Sequence, residues 1–168
     1  MEVSFRRATL DDADAMGRIG ALSWQTAYRG IVPDDVLDNI TPDARAQRFR
    51  QGYQAYPQAK YWLVLADGVE AGMIIAHPCR DDDARDCGEI GAIYFLPENW
   101  RQGLGSAAMA HALQALREMG FGQVVLWVLE QNSRARRFYE KQGFTPDGAA
   151  KTLHIGRDLV EVRYRRSL

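Results

Sequence analysis

Cysteine is scarce here. Cys79 and Cys87 are the only two in 168 residues, too few for a disulfide framework to hold the fold. No apolar run approaches the ~20 residues that cross a bilayer. The opening MEVSFRRATLDDAD has no long apolar region before its first acidic residues, so no secretory signal is expected. Excess charge of one sign is missing too: 21 Lys and Arg against 22 Asp and Glu leave a formal net charge of −1. Nothing global therefore points to nucleic acid or to an anionic membrane. Internal repeats, low-complexity stretches and obvious linkers are also lacking. The remaining composition, 46% hydrophobic and 26% charged, is that of an ordinary globular protein, long enough to bury a real core. One domain over residues 1–168 and a cytoplasmic location are the expectations.

What is present falls into alternating elements. Residues 2–7 read as a first strand. Thr9 with Asp12 resembles a capping box, and Asp11 suits a helix's positive end. Met16, Ile19, Ser23 and Ala27 then share one face of a helix running to about Tyr28, which Gly30 and Pro33 break. A second helix is expected from Pro42 to Gly52, with proline in its first turn. Residues 61–66 and 71–77 read as strands around the turn Asp67-Gly68, a hairpin signal. The acidic run Asp81–Asp86 reads as another exposed turn, and residues 88–96 as a fourth strand. From Leu104 a helix carries Met109, Leu113 and Leu116 inward and stops near Gly120. QVVLWVL (123–129) suits a strand buried on both faces. Asn132 is the expected N-cap of a helix over 133–142 that Gly143 ends. The tail VEVRYRRSL alternates, with Val160, Val162 and Tyr164 on one face of a last strand. Strand, helix, strand over 88–129 implies a parallel pair with a right-handed crossover. The fold class is therefore α/β, a sandwich on one mixed sheet.

Gly103 and Gly105 stand where the helix after the fourth strand must begin, a place where glycine weakens local order. A helix start offers unpaired N–H groups and a positive dipole end, so it can bind phosphates. Glycine there lets a ligand approach the main chain. A P-loop needs Lys and then Ser or Thr after its second glycine; Gly105 is followed by Ser106 and Ala107, which excludes it. Gly103-Leu-Gly-Ser-Ala-Ala108 fits the dinucleotide pattern G-x-G-x-x-A, with Glu130 ending the next strand. The polar segment Pro97–Gln102 is too long for that motif's tight turn, and 168 residues leave little room for a substrate domain.

A third reading is a coenzyme A diphosphate. "IYFLPENWRQGLGSAAMAHAL" followed by "LWVLEQNSRARRFYEKQGF" resembles the GNAT superfamily of acyl-CoA-dependent N-acetyltransferases, and the early "SWQTAYRGIVP" resembles one bacterial branch. The likeness covers nearly the whole chain in element order. It implies a mostly antiparallel central sheet with one parallel pair, flanked by about four helices. It also implies acetyl-CoA as co-substrate without a metal, a small-molecule, peptide or protein amine as acceptor, and, as in related enzymes, often a homodimer. The chain departs from the family's Q/R-x-x-G-x-G/A loop at its first position, where Trp100 stands; the donors Arg101 and Gln102 follow.

Carried over residue by residue, the resemblance places the coenzyme on the N–H groups and side chains of Arg101, Gln102, Gly103, Leu104, Gly105, Ser106 and Ala107, with the pantetheine along the main chain of Ile93 and Phe95. Asn132, a cap in any case, gains a coenzyme contact. Tyr139, in FYEK, matches the tyrosine that faces the coenzyme sulfur. Spacing alone favours a core residue packing its helix onto the sheet, and it is the FYEK resemblance that turns the reading to catalysis. At a pKa of about 10 a tyrosine stays protonated and can donate to a thiolate. Glu89 falls near the glutamate base of the histone-acetylating branch; period two puts it on one face with Gly91, Ile93 and Phe95. A solvated strand-end acid is the competing account. Trp24, Tyr28 and Arg29 fall where the family shapes its acceptor pocket, and are also ordinary core or interface residues. Asp34, Asp35 and Asp38 read as a solvated face.

Other signals are weaker. His77, Cys79 and Cys87 match no zinc spacing and lack a fourth ligand. His111 reads as exposed on its helix, and nothing recommends His154. Arg163, Arg165 and Arg166 read mostly as a solvated strand face. A rival of another class is a non-catalytic acyl-CoA-binding module with the same loop.

Overall fold

The computed structural model describes residues 1–168. In chain order they form β1 (Val3–Arg7), α1 (Ala13–Ala27), α2 (Asp34–Asp38), α3 (Pro42–Ala55), β2 (Lys60–Ala66), β3 (Val69–Pro78), β4 (Gly88–Phe95), α4 (Leu104–Glu118), β5 (Gln123–Leu129), α5 (Ser133–Lys141), β6 (Thr145–His154) and β7 (Asp158–Ser167). All seven strands join one sheet in the order β1-β2-β3-β4-β5-β7-β6. Only β4 and β5 run parallel. This is the mixed sheet expected, with five helices because the short α2 follows Pro33. The strand not foreseen is β6. Its sequence, TPDGAAKTLH, holds a proline and a glycine and is mostly exposed, which a sheet tolerates only at an edge.

Local chemistry sets the boundaries. Asp12 accepts the Thr9 N–H at 2.8 Å and both arms of Arg6 at 2.8 and 3.1 Å, fixing the turn that leads into α1. Thr41 Oγ1 accepts the Ala44 N–H at 3.1 Å, with Pro42 in the first turn of α3. Asn132 does the same for α5, accepting from Ala135 at 3.2 Å.

The sheet divides two cores. On one face α1 and α3 bring Met16, Ile19 and Phe49 onto Leu63, Met73 and Ala92. On the other, α4 buries Met109, Leu113 and Leu116 against Trp62, Ile74, Val124 and Leu126, with Phe138 and Tyr139 of α5 packed alongside.

Three expectations need correction. The run 81–86 is not simply an exposed turn: Ala84 is fully buried with Cys79, Cys87 and Val125. Arg163 does not lie on a solvated face. It is 4% exposed and held by Asp81, Asp83 and Asp147 at 3.1, 2.7 and 2.7 Å. Alternation identified its side of the strand correctly, but the acidic loop and β6 cover that side, and their carboxylates compensate the buried charge. His111 is half-buried, stacked on Phe5 at 4.1 Å and edge-on to Trp62 at 5.1 Å, with its Nε2 buried and unpartnered.

Candidate functional site

The parallel pair is short. β4 and β5 share only the rungs Gly88–Val124 and Glu89–Val125; beyond them the two strands separate. Main-chain groups along the rest of that edge of β4 lack a partner strand, and such groups demand water or a ligand. Crevices beyond the carboxyl ends of parallel strands are where open α/β sheets bind ligands.

The glycine loop closes the end of this gap. Arg101 and Gly103 both take positive φ, 62° and 82°, which turns successive N–H groups to one side. The N–H groups of Arg101 through Ser106 donate to no protein acceptor, and Ala107 is the first that bonds back, to Gly103 O at 3.3 Å. Gly103 caps α4 in the left-handed conformation with open space where a Cβ would stand. Gly105 differs: a Cβ there would lie 3.3 Å from the Phe138 ring, so its smallness serves the packing of α4 on α5 and its N–H alone remains for a ligand.

Side chains brace this loop. Trp100 Nε1 donates to the Phe95 carbonyl at 2.9 Å, and buried Ser23 donates to the same oxygen at 2.9 Å. That carbonyl is therefore already engaged. Gln102 turns back onto Glu98 O at 2.9 Å, and Ser106 Oγ accepts from Gln142 at 3.1 Å. Arg134 lies over the Trp100 ring at 3.7 Å. Burial holds its guanidinium below the usual range, and neighbouring Arg101 pushes the same way. Sequence reasoning missed Arg134. The available signal was a cation in the first turn of a helix, where the dipole disfavours it and an anionic partner is called for.

Tyr139 projects from α5 among Phe138, Phe144 and Tyr164, with ring centroids at 5.4, 6.1 and 6.5 Å. Its hydroxyl pKa is raised well above the ordinary value, chiefly by burial and then by Tyr94. Tyr28, at the end of α1, is raised by burial and then by Tyr94 and Tyr139. Three phenols thus converge from α1, β4 and α5, elements on both sides of the sheet. Tyr94 carried no sequence signal of its own. Neither did Glu161 of β7, whose pKa burial raises and which Lys151 approaches at 3.6 Å.

Glu89 does not share a face with Ile93 and Phe95. Opposite β3, Ile75 pairs with Ala92 and Ala76 with Ile90, so Gly91 is an extra residue that reverses the alternation. A Cβ at Gly91 would lie 2.8 Å from His77 Nε2. Ile93 and Phe95 consequently pack with the α4 core. Glu89 looks the other way, 3.2 Å from His77 Nε2 and 3.4 Å from Cys79 Sγ, with its side chain 15% exposed. Cys79, Asp81 and Glu89 offer ligand atoms within 4.8 Å of one another. Asp81 is, however, already bonded to Trp127 at 2.9 Å and to Arg163, and burial pushes the Cys79 thiol up to about 12, far from the thiolate a metal prefers.

On this same side a cleft of about 830 Å³ opens between α1, α3 and strands β2–β4, lined among others by Trp24, Arg45, Tyr61, His77, Gly91 and Tyr94. Of the residues expected at the acceptor, Trp24 lines the cleft. Tyr28 touches Trp24 edge-on at 4.6 Å. Arg29 points away, paired with Asp34 at 3.2 Å and Asp38 at 3.0 Å. No helix is long and apolar enough to cross a membrane.

Residues 22–144 match the model of the acetyltransferase (GNAT) family. The uncharacterized N-acetyltransferase YuaI of Bacillus subtilis is 31% identical over 150 residues, 89% of this chain and 83% of that protein. Among solved structures, the PaiA N-acetyltransferase of Thermoplasma acidophilum in complex with coenzyme A superposes with a TM-score of 0.76 at 18% identity, covering 100% of both chains. YncA of Salmonella typhimurium with its cofactor acetyl-CoA gives 0.72 at 19% identity, covering 100% of this chain and 95% of that one.

Proposed function

This chain belongs to the GNAT family of acetyltransferases, and we propose that it moves the acetyl group of acetyl-CoA to a primary amine by direct attack in a ternary complex. The observation that carries this reading is the run of free N–H groups from Arg101 to Ser106 at the mouth of the β4–β5 gap. They form a concave donor surface at a helix start, flanked by Arg101 and Arg134, which suits a diphosphate. From there the unpaired edge of β4 offers main-chain groups to an extended pantetheine, as a missing strand would take them. Two of the structural neighbours hold coenzyme A or acetyl-CoA, which supports a coenzyme of this kind as the ligand.

The chemistry then divides among the chain's own residues. The amine lone pair attacks the thioester carbonyl carbon, the C–S bond breaks, and the thiolate needs a proton. Tyr139 is the donor in this reading. Its phenol has no protein partner to lose, and its raised pKa keeps it protonated at neutral pH. Glu89, backed by His77, takes the proton the amine sheds, directly or through water. Cys79 and Cys87 have no part in a covalent route, because burial raises both thiols.

The test is release of free thiol from acetyl-CoA across an amine panel, with wild type and Tyr139→Phe. Turnover is expected to fall roughly 100-fold in the variant, the usual size of a lost proton donor, while coenzyme affinity holds. Tight coenzyme binding without thiol release on any amine would make the chain a non-catalytic acyl-CoA-binding module.

A further inference from the structure

The walls of the 830 Å³ cleft are one-sided in charge. Arg45, Arg48, Arg80 and Arg85 line it, and no aspartate or glutamate does. Elsewhere five arginines, Arg6, Arg29, Arg50, Arg163 and Arg165, each pair with a carboxylate. Within the cleft only Arg85 does so, with Asp82 at 2.6 Å. Arg45, Arg48 and Arg80 have no acidic partner. In a chain of net charge −1 this concentration is local and unbalanced.

Two of these guanidinium groups are also held in place. Arg45 lies over the Trp24 ring and Arg80 over the Tyr56 ring, each at 4.2 Å. Stacking fixes the plane of the fork and leaves its N–H edge free, the arrangement that receives a carboxylate or phosphonate through paired hydrogen bonds. Arg45 is half-buried. Burial, followed by repulsion from Arg48, presses against its charge, while nearby Tyr94 helps to sustain it. Trp24, on the same wall, has an indole N–H that is buried without a protein acceptor. A buried donor left without a partner costs stability unless a ligand or water satisfies it.

We infer that the acceptor is an anionic amine, in which a carboxylate or phosphonate docks on Arg45 and Arg80 while the amino group faces Tyr94 and His77, behind which Glu89 lies 3.2 Å away. This rests on the cleft being the acceptor side of the acetyl transfer proposed above. Polyamines, aminoglycosides and lysine-rich peptides are repelled by such a wall. Asp34 and Asp38, the acids that would attract them, are paired with Arg29 away from the cleft.

Matched acceptors test it. Thiol release is measured with 4-aminobutyrate against its amide, L-amino acids against their amides, 2-aminoethylphosphonate against ethanolamine, and spermidine. The anionic member of each accepted pair is expected to exceed its neutral partner roughly tenfold or more in kcat/KM, as expected for a charge-assisted contact, and spermidine is expected to be inert. Arg45→Gln and Arg80→Gln should each raise the acceptor KM by roughly that factor without moving the KM for acetyl-CoA. Arg50→Gln, paired with Asp14 elsewhere on α3, serves as control. A second arm removes dependence on the panel and on catalysis: calorimetric titration of the CoA-loaded protein with glutarate and with phenylphosphonate. Saturable binding that weakens with salt, and in either cleft variant, supports the inference. Preference for neutral amides or spermidine overturns it and leaves acetyl transfer standing. Anion binding with no thiol release on any amine overturns acetyl transfer and leaves the anion site standing. Anions that bind wild type and the Arg45→Gln/Arg80→Gln double variant equally overturn the inference whatever the turnover.

Discussion

Nε2 of His77 lies 3.2 Å from Oε2 of Glu89, and the two residues face each other directly across the β3–β4 ladder. Nδ1 of the same ring is 2.7 Å from the Pro78 carbonyl, an atom that only accepts. That end of the ring therefore carries hydrogen, and any second hydrogen bridges to Glu89. A proton taken from an amine has a defined place to go. Glu89→Gln should lower kcat roughly 100-fold or more, within the range of general-base losses, and leave the affinity for coenzyme A in place. His77→Gln should lower it less. Steady-state thiol release together with a coenzyme titration reads both, and an unchanged kcat in Glu89→Gln would pass the role to water.

Gly103 holds a φ of 82° at the start of α4. Side chains other than Asn and Asp resist that conformation, at a cost of about 1–2 kcal/mol. Gly103→Ala is expected to lower stability by about that much and, by tilting the N–H groups beside it, to weaken coenzyme binding roughly tenfold. Gly103→Asn should do less of both. Calorimetry with coenzyme A and thermal melts of the three proteins give the order; a fully bound Gly103→Ala would deny the loop its role.

Arg163 is enclosed by three carboxylates, and removing it strands them. Arg163→Met should destabilise the fold by about 3–5 kcal/mol at neutral pH, the range for breaking a buried ion pair from one side. Burial alone would raise the pKa of Asp81, but hydrogen bonds from Trp127 and Arg163 outweigh it and hold it below the usual value. A carboxyl depressed by folding contributes stability that is complete above its unfolded pKa of about 4 and is lost as pH falls through the folded value. The gap between wild type and variant should therefore narrow on acidification below about pH 4. Denaturant melts at pH 7 and pH 3 measure it.

Cys79 is 4% exposed with its thiol raised to about 12 by burial, and Glu89 adds to the shift. Iodoacetamide, which reacts with thiolate, should leave the native protein unlabelled near neutral pH and label both cysteines once denaturant is added. Intact mass after incubation with acetyl-CoA alone should show no acetyl adduct. An adduct would demand a covalent route.

Much of this was legible in residues close together in sequence. The cap at Asn132, the loop around Gly103 and the apolar stripe of α4 each depend on neighbours within one or two turns, and local pattern reports them. What stayed hidden depends on distant partners. The extra residue Gly91 is visible only against β3, and it undid the period-two argument for Glu89. Arg163 looked solvated because its three aspartates come from two other segments. Gly105 suggested room for a ligand, whereas the ring of Phe138 occupies its side. The arginine-lined cleft draws on α3 and on the segment after β3, and no single stretch announces it.

Two rungs, at residues 88–89 and 124–125, are all the strand pairing that links the first four strands to the last three. Such a sheet is two leaves joined by a narrow seam, with α4 strapped over one side. A guest lying along the open margin of β4 would lengthen that seam, so its arrival would be registered by both leaves, well beyond the atoms it touches.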